Sequence, residues 1–315
     1  MTRTILVPLD GSPFGESALP LAVSLARRSG ATLALVHVHD AETTEHAGAP
    51  AHDLRFDAEV NELMNQDLVG TATRLRNDTQ LPITATFLEG LVESTLLERI
   101  ATTRPWLVVM SSHGRGGLRR MWMGSVADAL VRRAQAPVLI VRGTPEASPI
   151  TRVSTEPVFR NILLPLDGSP MSHIPALAAE LGEPGRTTFT LLRVIIPVPT
   201  FPAPGPAALM PADSTGGAKE HAEALAQMGP VADVLTQRGY LVVQETTVHS
   251  HPATAILAFS AEQPIDLIAL STYGHGGFTR AVLGSVADQV MRSAQVAVLL
   301  DVRMHQPRVA DESLS

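Results

Sequence analysis

Short runs of consecutive apolar residues alternate along the chain with longer stretches in which apolar positions recur every three or four residues. The first run, residues 4–9, ends at Asp10-Gly11 and predicts a buried strand. Ser12-Pro13 then offers an N-cap followed by proline at the first helical position. Ala18, Leu19, Ala22, Val23, Leu25 and Ala26 continue at helical spacing, and Gly30 supplies a stop. Further strands are predicted over 32–38, 83–88, 106–110 and 137–141, with helices over 54–77, 91–102 and 124–134. Residues 39–53 read as a polar loop and 111–117 as a glycine-rich turn. The same order then recurs. Strands are predicted over 161–166, 189–194, 241–247, 265–270 and 296–302, and helices near 171–181, 218–238, 253–261 and 284–294. Gly182 takes the stopping role of Gly30. Strands alternating with helices predict right-handed crossovers and a parallel sheet, hence the α/β class.

Two words make the repetition explicit. PLDGSP occurs at residues 8–13 and 165–170, and GSVAD at 124–128 and 284–288. The chain therefore reads as a tandem duplication, with domains over 1–145 and 158–303, a linker over 144–157 and a frayed tail over 304–315. Residues 197–217, rich in Pro, Ala and Gly, read as the least ordered part of the second copy.

Composition narrows the function. Of 315 residues 45% are hydrophobic and 4% aromatic, so the cores are built from Leu, Val, Ile and Ala. With no cysteine there is neither a disulfide framework nor thiolate chemistry. The N-terminus lacks the pattern of a signal peptide, and no apolar run approaches the roughly 18 residues of a membrane span. A cytoplasmic protein is expected. The net charge of −7, without a basic cluster, argues against nucleic acid as a partner.

In an open parallel sheet, ligands bind beyond the carboxyl ends of the strands where strand order reverses. Asp10 follows the first strand and the glycine turn follows the fourth. Gly124-Ser125 and Gly284-Ser285 open helices whose free N–H groups favour phosphate. An ionised Asp10 only accepts hydrogen bonds, which suits a ribose or base edge. Base and ribose near the first strand, with phosphates at the turn, describe a nucleotide.

These residues resemble the universal stress protein family over nearly the whole chain. The family signature is Gly, two residues, Gly, nine residues, then Gly-Ser or Gly-Thr, with an Asp after the first strand. Here it reads Ser111, Gly114, Gly124-Ser125 and again Ser271, Gly274, Gly284-Ser285. Serine replaces the first glycine in both copies, which costs little room but disfavours an unusual backbone angle. The resemblance implies two tandem five-stranded sheets, order 3-2-1-4-5, of the Rossmann-like, adenine nucleotide alpha hydrolase-like kind. It also implies ATP or a related adenine nucleotide, with or without magnesium, and a regulatory role in stress response. Carried over, the first site takes Pro8, Asp10, Val38, Met110, Ser111, Gly114, Gly124, Ser125 and Val126. The second takes Pro165, Asp167, Val194, Leu270, Ser271, Gly274, Gly284, Ser285 and Val286. The resemblance further implies that the halves pair through their fifth strands as an internal pseudo-dimer, with homodimerisation of chains as an extension that Asp301 and Arg303 would tune.

Self-comparison separates the copies. His113 becomes Tyr273 and Arg115 becomes His275. Permanently charged Arg115 pairs with phosphate, whereas His275 does so only when protonated, so the first site is expected to bind more tightly. Asp128 and Arg132 read as a local i,i+4 pair, repeated by Asp288 and Arg292. His37 with His39, and His249 with His251, lack a third metal ligand, and Trp122 reads as packing. No Walker lysine is present, and PLDGSP is not the SGGxDS of ATP pyrophosphatases. A binding protein is favoured over its alternatives, a weak ATP-hydrolysing enzyme or a ligand-free interaction scaffold.

Overall fold

A computed structural model describes residues 3–40, 54–112, 124–142, 159–168, 173–197, 214–271 and 283–302. The first half runs β1 (Thr4–Pro8), α1 (Pro13–Glu16), α2 (Leu19–Ser29), β2 (Thr32–His39), α3 (Leu54–Thr79), β3 (Ile83–Glu89), α4 (Val92–Thr103), β4 (Leu107–Ser111), α5 (Ser125–Arg133) and β5 (Val138–Val141). The second half runs β6 (Asn161–Pro165), α6 (Ile174–Leu181), β7 (Thr188–Ile195), α7 (Ser214–Gln237), β8 (Leu241–Val248), α8 (Pro252–Glu262), β9 (Leu267–Ser271), α9 (Ser285–Ser293) and β10 (Ala297–Asp301). The expected linker and tail lie outside the described residues, as does most of the expected first loop. Of the Pro-, Ala- and Gly-rich stretch, residues 214–217 open α7.

The strands form one sheet in the order β3-β2-β1-β4-β5-β10-β9-β6-β7-β8. Each half has the order 3-2-1-4-5, all parallel. The two sheets join where β5 meets β10 antiparallel, Ile140 opposite Val298 and Val138 opposite Leu300. The fifth strands are therefore interior, and the free edges are β3 and β8.

Side chains alternate between the faces with period two. Ile5, Val7, Leu33, Leu107, Leu164 and Leu299 join α2, α3, α6 and α7 in one buried core. Leu6, Val36, Val108, Leu163, Leu192 and Leu300 join α4, α5, α8 and α9 in the other. Burial on both faces explains why the strands read as unbroken apolar runs. Each core continues through both halves, and equivalent helices share a face. The halves are thus related by a rotation about an axis normal to the sheet. The carboxyl ends of β1 and β4 point to one end of the molecule, and those of β6 and β9 to the other.

Local signals act as the chemistry predicts, with two differences. Ser12 is extended (φ −98°, ψ 153°) and its Oγ accepts from the Gly15 amide at 3.1 Å. Gly30 ends α2 in the left-handed region at φ 64°. The first predicted helix, however, is broken after Glu16. Ser17 Oγ donates back to the Phe14 carbonyl at 2.6 Å, and Pro20, without an N–H, sits in the first turn of the restarted helix. Gly182 also differs from Gly30, being extended at φ −84°, ψ 177°. What requires glycine there is close approach: a Cβ would lie 3.2 Å from both Thr187 Cγ2 and Tyr240 Cε1. Among the described residues no helix is long and apolar enough to cross a membrane.

Candidate functional site

β1 lies between β2 and β4, with Leu6 level with Val108. The chain leaves β1 toward the α2 face and leaves β4 toward the α5 face, so a crevice opens above their carboxyl ends. Pro8 ends β1 and Met110-Ser111 end β4. Val38 and Met110 are buried in the core beneath α5, with Val126 packed against it. The apolar wall expected of the crevice is thus continuous with that core.

Asp10 stands beyond β1, at the turn where Gly11 takes φ 72°. Its Oδ1 accepts from the Ser12 amide at 3.0 Å and from Ser12 Oγ at 2.7 Å. The same hydroxyl oxygen accepts from Gly15, so one serine both caps the helix and holds the carboxylate. Gly15 makes this arrangement fit. A Cβ there would lie 2.4 Å from Asp10 Oδ1. Sequence reasoning passed over Gly15, because the contact runs between positions five apart that no periodic pattern marks.

The start of α5 is docked onto the strands. Gly124 donates its amide to the Ser112 carbonyl at 3.1 Å, and Ser112 donates to Val141 at 3.0 Å. Among the described residues no side chain caps α5 or α9, and free first-turn amides suit an anion. Ser125 and Ser285 are exposed at these starts. Gly124 (φ −61°) and Gly284 (φ −59°) do not use glycine's left-handed freedom. Their contribution is bareness: a Cβ at Gly124 would be 3.8 Å from the Ser112 carbonyl oxygen, an ordinary contact. Ser111 and Ser271 are the last residues of β4 and β9. Among the described residues, only Gln80 and Arg104 are non-glycine residues with positive φ. The serine replacement therefore carries no backbone strain. Gly114, Arg115 and Gly274 lie outside the described residues, with His113, Trp122, Tyr273 and His275.

The second crevice repeats this plan with its own residues. Pro165, Val194, Leu270, Ser271 and Val286 occupy the equivalent places, and Asp167 is exposed. Gly168 is left-handed at φ 83°, and a Cβ there would lie 2.8 Å from Gln227 Oε1. Arg193 Nη1 donates to the Leu166 carbonyl at 3.1 Å, pinning the strand end that leads to Asp167. Asp301 is buried and paired in register with Ser271, where the first half pairs Val141 with Ser111. It lies inside the sheet rather than at a free edge between chains. Among the described residues no group of three or more His, Asp and Glu is placed to hold a metal ion.

The second repeated word has a role beyond its helix start. Arg132 bonds Asp128 at 2.8 Å, but it also reaches Asp288 at 2.8 Å. Arg292 bonds Asp288 at 3.0 Å and reaches Asp128 at 2.7 Å. The four charges form a closed ring joining α5 to α9 across the two halves. Hydrogen bonding from Arg132, with the charge of Arg292 beside it, holds the Asp128 carboxyl below the usual carboxylate range. Arg142, at the end of β5, donates across the same seam to the Met291 carbonyl in the last turn of α9.

A duplicated, doubly wound parallel α/β sheet, with a strand-order reversal in each half, defines the class of the fold. Residues 1–142 and 159–303 match the model of the universal stress protein family, and the chain belongs to that family. A universal stress protein of Mycobacterium tuberculosis is 26% identical over 303 residues, covering 94% of this chain and 96% of the relative. One from Mycolicibacterium smegmatis is 27% identical over 307 residues, with 94% and 96% covered. Among solved structures, a universal stress protein from Archaeoglobus fulgidus superposes with a TM-score of 0.63 at 17% identity. That superposition covers 96% of this chain and 98% of the other.

Proposed function

We propose that this universal stress protein is a regulatory protein that binds an adenine nucleotide, ATP foremost, in its crevices, and that it serves the stress response by binding rather than by turnover. The observation that carries this reading is the pairing, in each half, of an uncapped Gly-Ser helix start with an aspartate across the switch point. The helix amides suit phosphates, the valine and methionine wall suits a base, and Asp10 suits ribose hydroxyls. Magnesium, where present, would come with the phosphates. The family's mode of binding assigns Gly114 and Gly274 to the phosphates as well, and the permanent charge of Arg115 suits them.

Native mass spectrometry of the purified protein, followed by titration with ATP, tests the proposal. Copurified adenine nucleotide, or saturable binding weakened about tenfold by Asp10→Ala, is expected. No binding at either crevice would leave a ligand-free scaffold. Steady release of ADP that Asp10→Ala abolishes would instead make the protein an enzyme.

A further inference from the structure

Arg193, on β7, is half-buried. Its Nη1 donates to the Leu166 carbonyl at 3.1 Å, and among the described residues no carboxylate is bonded to it. A carbonyl carries no full charge, so the guanidinium is held in place without being neutralised. It also keeps N–H groups in hand, because a guanidinium has several donors and this bond uses one. A Cβ on Gly168 would lie 3.4 Å from both Nη1 and Nη2. Leu166 and Gly168 flank Asp167, which is exposed. The guanidinium is therefore fixed at the turn that carries the aspartate of the second half.

Two further polar groups stand beside it. Arg193 is paired in register with Thr246 of β8, so both side chains leave the same face of the sheet. From α7, His221 sets its Nδ1 2.6 Å from Thr246 Oγ1. Either direction of that bond leaves a donor over. When the hydroxyl donates, the ring proton is on Nε2; when Nδ1 donates, the hydroxyl proton is free. Both residues are half-buried, so a solute can reach them. The first half is built differently here. Pro8 is level with Val36 and Pro165 with Leu192, which makes His37 the counterpart of Arg193. His37 is paired in register with Phe87, and its buried ring stacks on that side chain with centroids 5.4 Å apart. Rings close the place in one half, where the other half sets a cation and donors.

We infer that Arg193, His221 and Thr246 form a phosphate subsite in the second half, on the α7 side of the Asp167 turn, fitted to a phosphate monoester. The guanidinium supplies the charge and the paired N–H groups that suit phosphate oxygens. The Thr246–His221 pair supplies one donor more. The same dianion has two sources. One is a phosphate on the ribose of a bound nucleotide, the group that an arginine near the ribose accommodates in dinucleotide folds. The other is inorganic phosphate. The first source rests on the nucleotide reading of the crevice, and the second does not.

The test is calorimetric titration of the full chain with AMP, with adenosine 2′,5′- and 3′,5′-bisphosphate, and with inorganic phosphate, for the parent, Arg193→Met and Thr246→Val. A parent that binds a bisphosphate about tenfold more tightly than AMP at one site identifies the ribose phosphate as the source. Saturable binding of inorganic phosphate without that preference identifies the free ion. In either case Arg193→Met is expected to abolish the effect and leave AMP affinity unchanged. Thr246→Val, which spares the bond to Leu166 and suits a strand, is expected to weaken it about threefold. A parent with neither the preference nor phosphate binding would overturn the subsite, leaving Arg193 only to pin the strand end. So would an effect that survives Arg193→Met, or a loss in that variant that extends equally to AMP and tracks a lowered melting temperature. Phosphate binding that Arg193→Met abolishes, in a chain that binds no AMP, would remove the nucleotide reading and keep the subsite.

Discussion

At the scale of single residues, the aspartate turn is a small machine of hydrogen bonds with little slack. Ser12 serves Asp10 and Gly15 at once. Ser12→Ala is expected to cost about 1 kcal/mol as a lost cap, read by urea denaturation, and to loosen the carboxylate as well. Gly15→Ala acts differently, because its methyl would occupy the place of Asp10 Oδ1. We expect a destabilisation of about 1–3 kcal/mol and a loss of nucleotide affinity at one crevice only, which a two-site titration resolves. Gly182→Ala has no ligand to affect. Its cost, of the same order, comes from crowding Thr187 and Tyr240, and a melting curve checks it.

At the scale of elements, the proposed function makes the starts of α5 and α9 the places where helix and ligand chemistry would meet. Gly124→Ala is expected to leave stability within about 0.5 kcal/mol, since its conformation and surroundings accept a methyl. Gly124→Val and Gly284→Val, which crowd the first-turn amides, are expected to weaken binding separately, one site each. If Arg115 strengthens the first site as proposed, the Gly124 variant loses more; equal losses in calorimetric titration would remove that asymmetry. Most elements were legible in the sequence because parallel strands buried on both faces leave unbroken apolar runs, and because Ser12-Pro13 and Gly30 punctuate by local chemistry. What stayed hidden is non-local. The break between α1 and α2 depends on Ser17 folding back onto Phe14. The Asp128–Arg132 spacing announced a local pair but not that each residue also bonds the counterpart of its partner, 156 or more positions away. His37 read as one of two alternating histidines, and only the strand register brought it to Phe87. Asp10 was legible as the residue beyond a strand end at a turn, whereas Gly15 and Arg193 act through contacts that spacing does not encode.

At the scale of the whole molecule, the halves share two cores, a strand pair and a ring of four charges. Heat unfolding is expected as a single calorimetric transition rather than two. Arg132→Ala with Arg292→Ala is expected to lower stability by about 1 kcal/mol for each arginine without splitting that transition. The pH dependence has a definite sign. Asp128 has a depressed pKa in the folded chain, so its contribution is complete above the ordinary aspartate value of about 4. That contribution is lost as pH falls through the lower folded value. Parent and double variant should therefore converge in stability toward strong acid and differ most near neutrality; a gap that widens on acidification would remove the ring from the account.

The antiparallel meeting of β5 and β10 also governs what the protein can become. Two separate identical subunits joined by such a seam would receive every substitution twice, and a change that improved one binding surface would be imposed on the other. A single continuous chain is free of that constraint. Arginine can stand at position 193 while histidine stands at 37, and the seam, which needs only matching strands and four charges, is indifferent. Because the carboxyl ends of the two halves face opposite ends of the molecule, a chain built by copying leaves each copy free to diverge without disturbing the other.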